Sequence, residues 1–398
     1  MKHFALYIII LYSIFSLTAC RDRLVPPEED PASSGEVLQP KAEAERTVII
    51  YMAADNNLTG FVRGDTAEMI KGKGLIPENV NFVIYLDDNY RKPAFYELSA
   101  KNGMKKLKES GEEHCSTDGE TMLKVLREIQ HYFPAHHYGI TFWSHASGWV
   151  PRRNTFGMDE TPGPTAKEPE MEIPVLRDVL AQLPKFDYIL FDACFMQSIE
   201  VAYELRHQAD WMIGSPAEIP GPGAPYDSIM GALCAGDVNG IINGYNSGYP
   251  TGIYTGVLLS CIDCTQLEAL AEATGRFLIP RYMEHAEPST SGFQAYCSRL
   301  VKYNYYFDMR TTMCQLLNED DYAAWMEYFD RAVPTKTFSS TRTWYSYDLC
   351  NFPYIEDTEC YGGVSMFVPL QAYEPYGWNK EFQKTSWYAA MGWPETGW

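Results

Sequence analysis

An α/β sandwich built on a mainly parallel sheet is the fold class this sequence predicts, and three observations point to it. Apolar, β-branched runs of strand length recur along the first half of the chain. Stretches with helical spacing of apolar residues separate them. The runs are continuous rather than alternating, as expected of strands covered on both faces, and strand–helix alternation is the pattern of a parallel sheet between helical layers.

Taken in order, residues 1–19 carry Lys2 and then an apolar run from Phe4 to Leu17. That run is shorter than the about 20 residues of a membrane span and has the length of a signal-peptide core. It ends in Leu17-Thr18-Ala19-Cys20, which resembles a bacterial lipobox, so Cys20 is the expected lipidation site. Arg21 stands where an aspartate would favour inner-membrane retention, and an exported lipoprotein of the outer membrane is the expectation. Residues 20–45, rich in Pro, Ser, Glu and Asp, read as a flexible tether.

The predicted strands are TVIIYMAAD (47–55), NVNFVIYLDD (79–88), HYGITFWSHA (137–146), FDYILFDAC (186–194) and DWMIGSPA (210–217). GETMLKVLREIQHYF (119–133) sets Met122, Leu123, Leu126, Ile129 and Phe133 on one helical stripe. IPVLRDVLAQL (173–183), with a proline near its start, and SIEVAYELRHQ (198–208) are the next helices. Residues 46–235 thus form a core, and 236–398 are expected to complete it. Within that second part, 236–256 is rich in Gly, Asn and Tyr and reads as loop, 264–284 and 319–332 as helices, and GGVSMFVPL (362–370) as a strand.

Acidic residues outnumber basic ones 52 to 32, for a formal charge of -20. Nucleic acid is excluded as a partner, because its recognition needs a basic footprint. An acidic surface instead suits basic partners. The lone C-x-x-C of Cys261 and Cys264 lacks a second pair or matching histidines and reads as structural.

In open α/β sheets, ligands gather beyond the carboxyl ends of the strands. Asp55-Asn56-Asn57, Asp87-Asp88-Asn89, the stretch from Ser144 to Trp149, and Asp192-Ala193-Cys194 stand there. A thiol and an imidazole therefore end two strands of one sheet, the pairing that nucleophilic cysteine catalysis needs. A free thiol is mostly protonated, and a histidine or a helix N-terminus draws it toward thiolate. Cys194 would stand just ahead of the helix at Ser198, His145 would protonate a leaving amine, and the Gly148 turn would free backbone N–H groups for an oxyanion. Taken singly, a strand-end cysteine is more often inert core. The conjunction, at close to the roughly 50-residue His-to-Cys spacing of caspases, favours catalysis.

The motifs YMAADNNL (51–58), WSHASGW (143–149), FGMDE (156–160), FDACFMQSIEVAYEL (191–205), GSPAEIPGPGAPYD (214–227) and YGGVSMFVP (361–369) together resemble the clostripain family of cysteine peptidases. The resemblance runs from about Thr47 to Pro369 and implies a caspase-like α/β/α sandwich with a C-terminal extension. It implies a catalytic dyad of His145 and Cys194, with backbone of Ala146 and Cys194 at the oxyanion. It further implies that Asp192 binds the basic side chain, Arg or Lys, of the residue before the cut. Asp192 and Cys194, two apart in a strand, share an orientation, and a walled carboxylate suits a guanidinium. The family's H-G-x-G is here His145-Ala146-Ser147-Gly148, so a left-handed backbone at Ala146 would cost about 1 kcal/mol or more. Self-cleavage is expected in the polar, Pro-rich stretch 151–172, with Lys167 the favoured site. Glu218 matches the family without an assigned role.

Some relatives depend on calcium. Asp87, Asp88 and Asn89 offer hard oxygen ligands, but at too few positions for a recognisable calcium loop, so no cofactor and no tightly bound metal are expected. The main reading is a lipid-anchored cysteine endopeptidase acting on proteins or peptides. The alternatives are a catalytically impaired binding protein on the same fold, and a glycan-binding lipoprotein using Tyr303, Tyr305, Tyr306, Trp344, Tyr345 and Tyr347.

Overall fold

The strand β1 (Ala44–Ala54) shows how the sheet is built. Its residues Val48 to Ala54 are fully buried. Side chains alternate between faces of a strand, so Ile49, Tyr51 and Ala53 enter one hydrophobic layer while Val48, Ile50 and Met52 enter the other. Burying an aliphatic side chain contributes roughly 1.5–3 kcal/mol. A continuous apolar run is therefore stable only between two layers of helices.

The computed structural model describes residues 38–149, 155–161, 170–248, 256–285, 287–296, 304–346 and 353–396. After β1 come β2 (Val80–Asp88), β3 (Arg91–Ser99), β4 (Gly103–Glu109), β5 (Ala135–Trp143), β6 (Thr155–Phe156), β7 (Met171–Glu172), β8 (Phe186–Asp192), β9 (Ala209–Gly214), β10 (Leu259–Asp263), β11 (Phe307–Asp308), β12 (Thr335–Thr337) and β13 (Ser365–Met366). The helices are α1 (Val62–Gly72), α2 (Gly119–Tyr132), α3 (Ile173–Leu180), α4 (Ile199–Leu205), α5 (Tyr226–Ala235), α6 (Val238–Ser247), α7 (Leu267–His285), α8 (Met309–Leu316), α9 (Glu319–Ala332), α10 (Trp378–Phe382) and α11 (Ser386–Ala390).

Nine strands form one sheet in the order β12-β10-β9-β8-β5-β1-β2-β3-β4. The five central strands β9, β8, β5, β1 and β2 run parallel, and they are the five predicted from sequence. The flanking strands are antiparallel. Buried residues of α2, α3, α4, α7 and α9 cover one face, and those of α1, α5 and α6 cover the other. The α/β/α sandwich is thus observed.

Two readings of the second part need correction. The Gly- and Asn-rich stretch read as loop contains α6, because Asp237 caps it by accepting the Gly240 N–H, and Ile241, Ile242 and Tyr245 find a core to enter. Tertiary burial overrides weak propensity there. The strand expected over 362–370 is limited to β13, which pairs with β11 over two residues. Cys261 lies in β10 and Cys264 just after it; both are buried, unpaired thiols, in agreement with the structural reading.

Candidate active site

Strands β5 and β8 are parallel neighbours, and their register pairs Trp143 with Asp192. His145 and Cys194 each follow that pair by two residues. Neighbouring strands lie about 4.8 Å apart, so His145 and Cys194 follow adjacent strand ends at the carboxyl end of the sheet. Among the described residues no hydrogen bond joins them. The Cys194 Sγ accepts the Ile219 N–H at 3.3 Å, and its S–H faces the Ile219 carbonyl at 3.8 Å. The His145 Nε2 donates to Asn57 Oδ1 at 2.5 Å.

The groups around Cys194 oppose the thiolate expected from the sequence. Burial pushes Cys194 up to about 12, and the acids Glu218 and Asp192 add to the rise against the Ile219 N–H. The following helix, α4, begins at Ile199, and its cap Ser198 is spent on the Val201 N–H. Burial likewise lowers the His145 imidazole, opposed by Glu160 and Glu170. Both shifts favour the uncharged forms of thiol and imidazole.

Asn57 is a residue that the sequence reading noted only as a strand end. Its neighbour Asn56 is fully buried and pins the turn, donating to Ala53 O at 3.0 Å and Met158 O at 2.9 Å and accepting the Leu58 N–H at 2.9 Å. Asn57 is thereby presented outward to His145. The paired asparagines after a buried strand were the available signal.

The 145–149 turn is shaped on both sides. Ala146 bridges Phe156 in antiparallel fashion, but the two bonds of that bridge are donated by Ser147 and Gly157. The Ala146 N–H is left unused by the pairing. Ala146 is not among the residues at positive φ, so its methyl costs no strain. The left-handed position is Gly148, at φ +68, where a Cβ would lie 2.8 Å from the Phe195 carbonyl.

Strain is found instead at Phe195, directly after Cys194, with φ 60. A left-handed non-glycine residue costs roughly 1–2 kcal/mol and persists only where its surroundings hold it. Here the Phe195 N–H donates to Ala217 O at 2.9 Å. Its ring stacks on Tyr306 at 5.1 Å, and the Tyr306 hydroxyl donates to Ser147 O. This clamp was invisible in the sequence, since its partners lie far apart in the chain.

Asp192 is only 4% exposed. Its Oδ2 accepts the Ala224 N–H at 2.9 Å and the Tyr226 hydroxyl at 3.1 Å, and its Oδ1 accepts the Tyr245 hydroxyl at 2.7 Å. Burial raises its pKa against these three donors. All three are neutral. The titratable groups acting nearby are acids, Asp65 and Glu68. Asp65 is 2% exposed and leaves Oδ2 without a partner. At Gly223, φ +64, a Cβ would come within 2.8 Å of Asp192 Oδ2, so glycine keeps the space beside the carboxylate.

Of the acids considered for calcium, Asp88 binds Arg91 at 2.8 Å while Asp87 is fully buried. Among the described residues no group of three or more His, Cys, Asp or Glu is arranged to hold a metal ion. Among them, too, no helix is long and apolar enough to cross a membrane. Cys20 and Lys167 lie outside the described residues.

Comparison with known proteins agrees with this geometry. The model of the clostripain family matches residues 50–398. A secreted C11 cysteine protease from Bacteroides thetaiotaomicron, solved with an irreversible peptide inhibitor, superposes with a TM-score of 0.76 at 31% identity, covering 88% of this chain and 100% of that one. An inactive zymogen C11 protease from Parabacteroides distasonis gives a TM-score of 0.76 at 28% identity, covering 88% and 99%. Clostripain from Hathewaya histolytica is 24% identical over 223 residues, which covers 48% of this chain and 42% of that relative's length.

Proposed function

Because the chain belongs to the clostripain family of cysteine peptidases, we propose that it is an endopeptidase cutting after a basic residue, arginine or lysine, with His145 and Cys194 as its dyad. The observation supporting this reading is the β5–β8 register, in which His145 and Cys194 each follow the Trp143–Asp192 pair by two residues. Substrate binding turns the thiol from Ile219 toward the imidazole. His145 takes the S–H proton as Sγ attacks the scissile carbonyl. The N–H groups of Ala146 and Cys194 receive the oxyanion. His145 then returns the proton to the leaving amine, and water hydrolyses the thioester.

Asp192 supplies the specificity. Among the described residues no cation pairs with this buried carboxylate, and an incoming guanidinium or ammonium provides one. The neutral, unjoined dyad supports a latent resting state, released by self-cleavage within 151–172, with Lys167 the favoured site. Residues 1–19 act as a lipoprotein signal, and Cys20 anchors the exported chain to the outer membrane. The scheme uses only the chain's own groups, and assays with calcium or a chelator measure any calcium dependence.

The test is hydrolysis of matched fluorogenic peptides bearing Arg, Lys, Asp or Leu before the cut, beside Cys194→Ala. Turnover of the Arg or Lys peptide, lost in Cys194→Ala, is the expected result. Turnover of another residue instead would keep the peptidase and reject the Asp192 pocket. Turnover surviving in Cys194→Ala would reject the dyad. The binding-protein alternative rested on strain at Ala146, which is absent.

A further inference from the structure

We propose that Cys314 and Cys360 form a redox-reactive pair, closed into a disulfide when the chain meets a disulfide oxidant. Their Sγ atoms lie 3.6 Å apart. A disulfide bond is about 2.05 Å long, so closure brings the two sulfurs together by about 1.5 Å from their 3.6 Å separation. Both thiols are half-buried and open to a small reagent, whereas Cys115, Cys234, Cys261 and Cys264 are buried. The turn that presents Cys360 is fixed by Asp357, whose Oδ1 accepts the N–H groups of Glu359 at 2.8 Å and Cys360 at 3.2 Å.

The pair joins two elements that already depend on each other. Cys314 sits in α8, which starts at the buried Asp308. Asp308 accepts the Gly362 N–H at 2.9 Å and the Gly363 N–H at 3.0 Å, just beyond Cys360. The same segment continues to Ser365, whose N–H donates to Gln197 O at 3.0 Å, and to Phe367, whose N–H donates to Glu200 Oε1 at 2.7 Å. Linking Cys314 to Cys360 ties down the strand that borders the Cys194 loop. The bond would close a loop across 46 positions, and removing that freedom from the unfolded chain stabilises the fold.

The step balances simply. Two S–H bonds break and one S–S bond forms. Two electrons and two protons pass to an oxidant of the disulfide class, such as oxidised glutathione, which becomes two thiols. Burial and the adjacent Cys314 push the Cys360 thiol up. The inference stands apart from the peptidase reading, since neither thiol belongs to the proposed dyad.

The test uses the full chain equilibrated with mixtures of oxidised and reduced glutathione. Free thiols are then blocked with N-ethylmaleimide and the chain is mapped without reduction. The expected product is a peptide pair joined through Cys314 and Cys360, two hydrogens lighter than the free peptides and split by dithiothreitol. The oxidised chain melts higher than the reduced chain by roughly 5 °C, and Cys360→Ser and Cys314→Ser each abolish that difference. Full alkylation of both residues after oxidation overturns the proposal, as does a link from either to another cysteine. If Cys314→Ser fails to fold, Cys360→Ser and the wild-type peptide map still decide.

Discussion

Asp192 and Asp308 are both buried carboxylates fed by neutral donors, yet they differ in the charges around them. Asp308 accepts three backbone N–H groups, from Thr311, Gly362 and Gly363, together with the Tyr296 hydroxyl at 2.5 Å. A cation stands nearby, since Lys336 feels Asp308. Among the described residues Asp192 accepts from one backbone N–H and two tyrosine hydroxyls, and its titratable neighbours are the acids Asp65 and Glu68. Burial raises both acids. The difference teaches how a fold separates uses of one group. A carboxylate woven into backbone, with a lysine in electrostatic range, holds the chain together. A carboxylate held mainly by side chains, with no cation paired to it among the described residues, has a place for someone else's.

Four experiments break or sharpen that contrast. Asp192→Asn should lower kcat/KM for Arg and Lys peptides by about two to three orders of magnitude, because about 3–4 kcal/mol of charge pairing is lost. Turnover of a Leu peptide should stay unchanged, and an equal loss there would show that Asp192 serves the dyad rather than the basic side chain. Asp308→Asn should destabilise the fold by about 3 kcal/mol, read by urea denaturation, because an amide NH₂ opposes the gathered donors. Its Arg-to-Leu preference should be retained, and a changed preference would end the distinction between the two acids.

Tyr245→Phe removes one donor from Asp192 and should reduce kcat/KM for the Arg peptide about fivefold, for about 1 kcal/mol. No change there would mean that Ala224 and Tyr226 suffice. The smallest effect is pH-dependent. Burial, then Asp192 and Glu68, push Asp65 up from 3.8 to about 9. An acid raised by folding binds its proton more tightly in the folded state, so its stabilising contribution is present at low pH. That contribution is lost as pH rises from about 4 through about 9. Asp65→Asn should therefore flatten the decline of Tm with pH across that window, and a parallel decline in wild type and variant would refute the assignment.

The sheet was legible because its central strands are buried on both faces, and continuous apolar runs such as 47–55 announce that. The hairpin of β3 and β4 was missed. It lies at the sheet's edge, where Lys105, Lys106, Lys108 and Glu109 of β4 dilute the apolar signal and discourage further pairing. Its available clue was Asn102-Gly103, with Gly103 at φ +70. Of the site, His145, Cys194 and Asp192 were legible from strand ends and from the family resemblance. Asn57 was visible without a role. The Tyr226 and Tyr245 donors and the Phe195 clamp were not, because long-range packing alone brings them to Asp192 and Cys194. The groups opposing the Cys194 thiolate were not legible either, because Glu218 and Ile219 reach it only through the fold.

The support of the Cys194 loop also sets an order in time. A chain growing from its N-terminus delivers strands β1 to β9 and the whole Cys194 loop well before Tyr306, on which Phe195 stacks. Ser365 and Phe367, which brace Gln197 and Glu200, come later still. Until the last part of the chain has been synthesised, the left-handed turn after Cys194 lacks its clamp. The Cys194 loop is thus among the last parts to take shape, and a truncated product carrying every central strand still lacks what holds that loop in place.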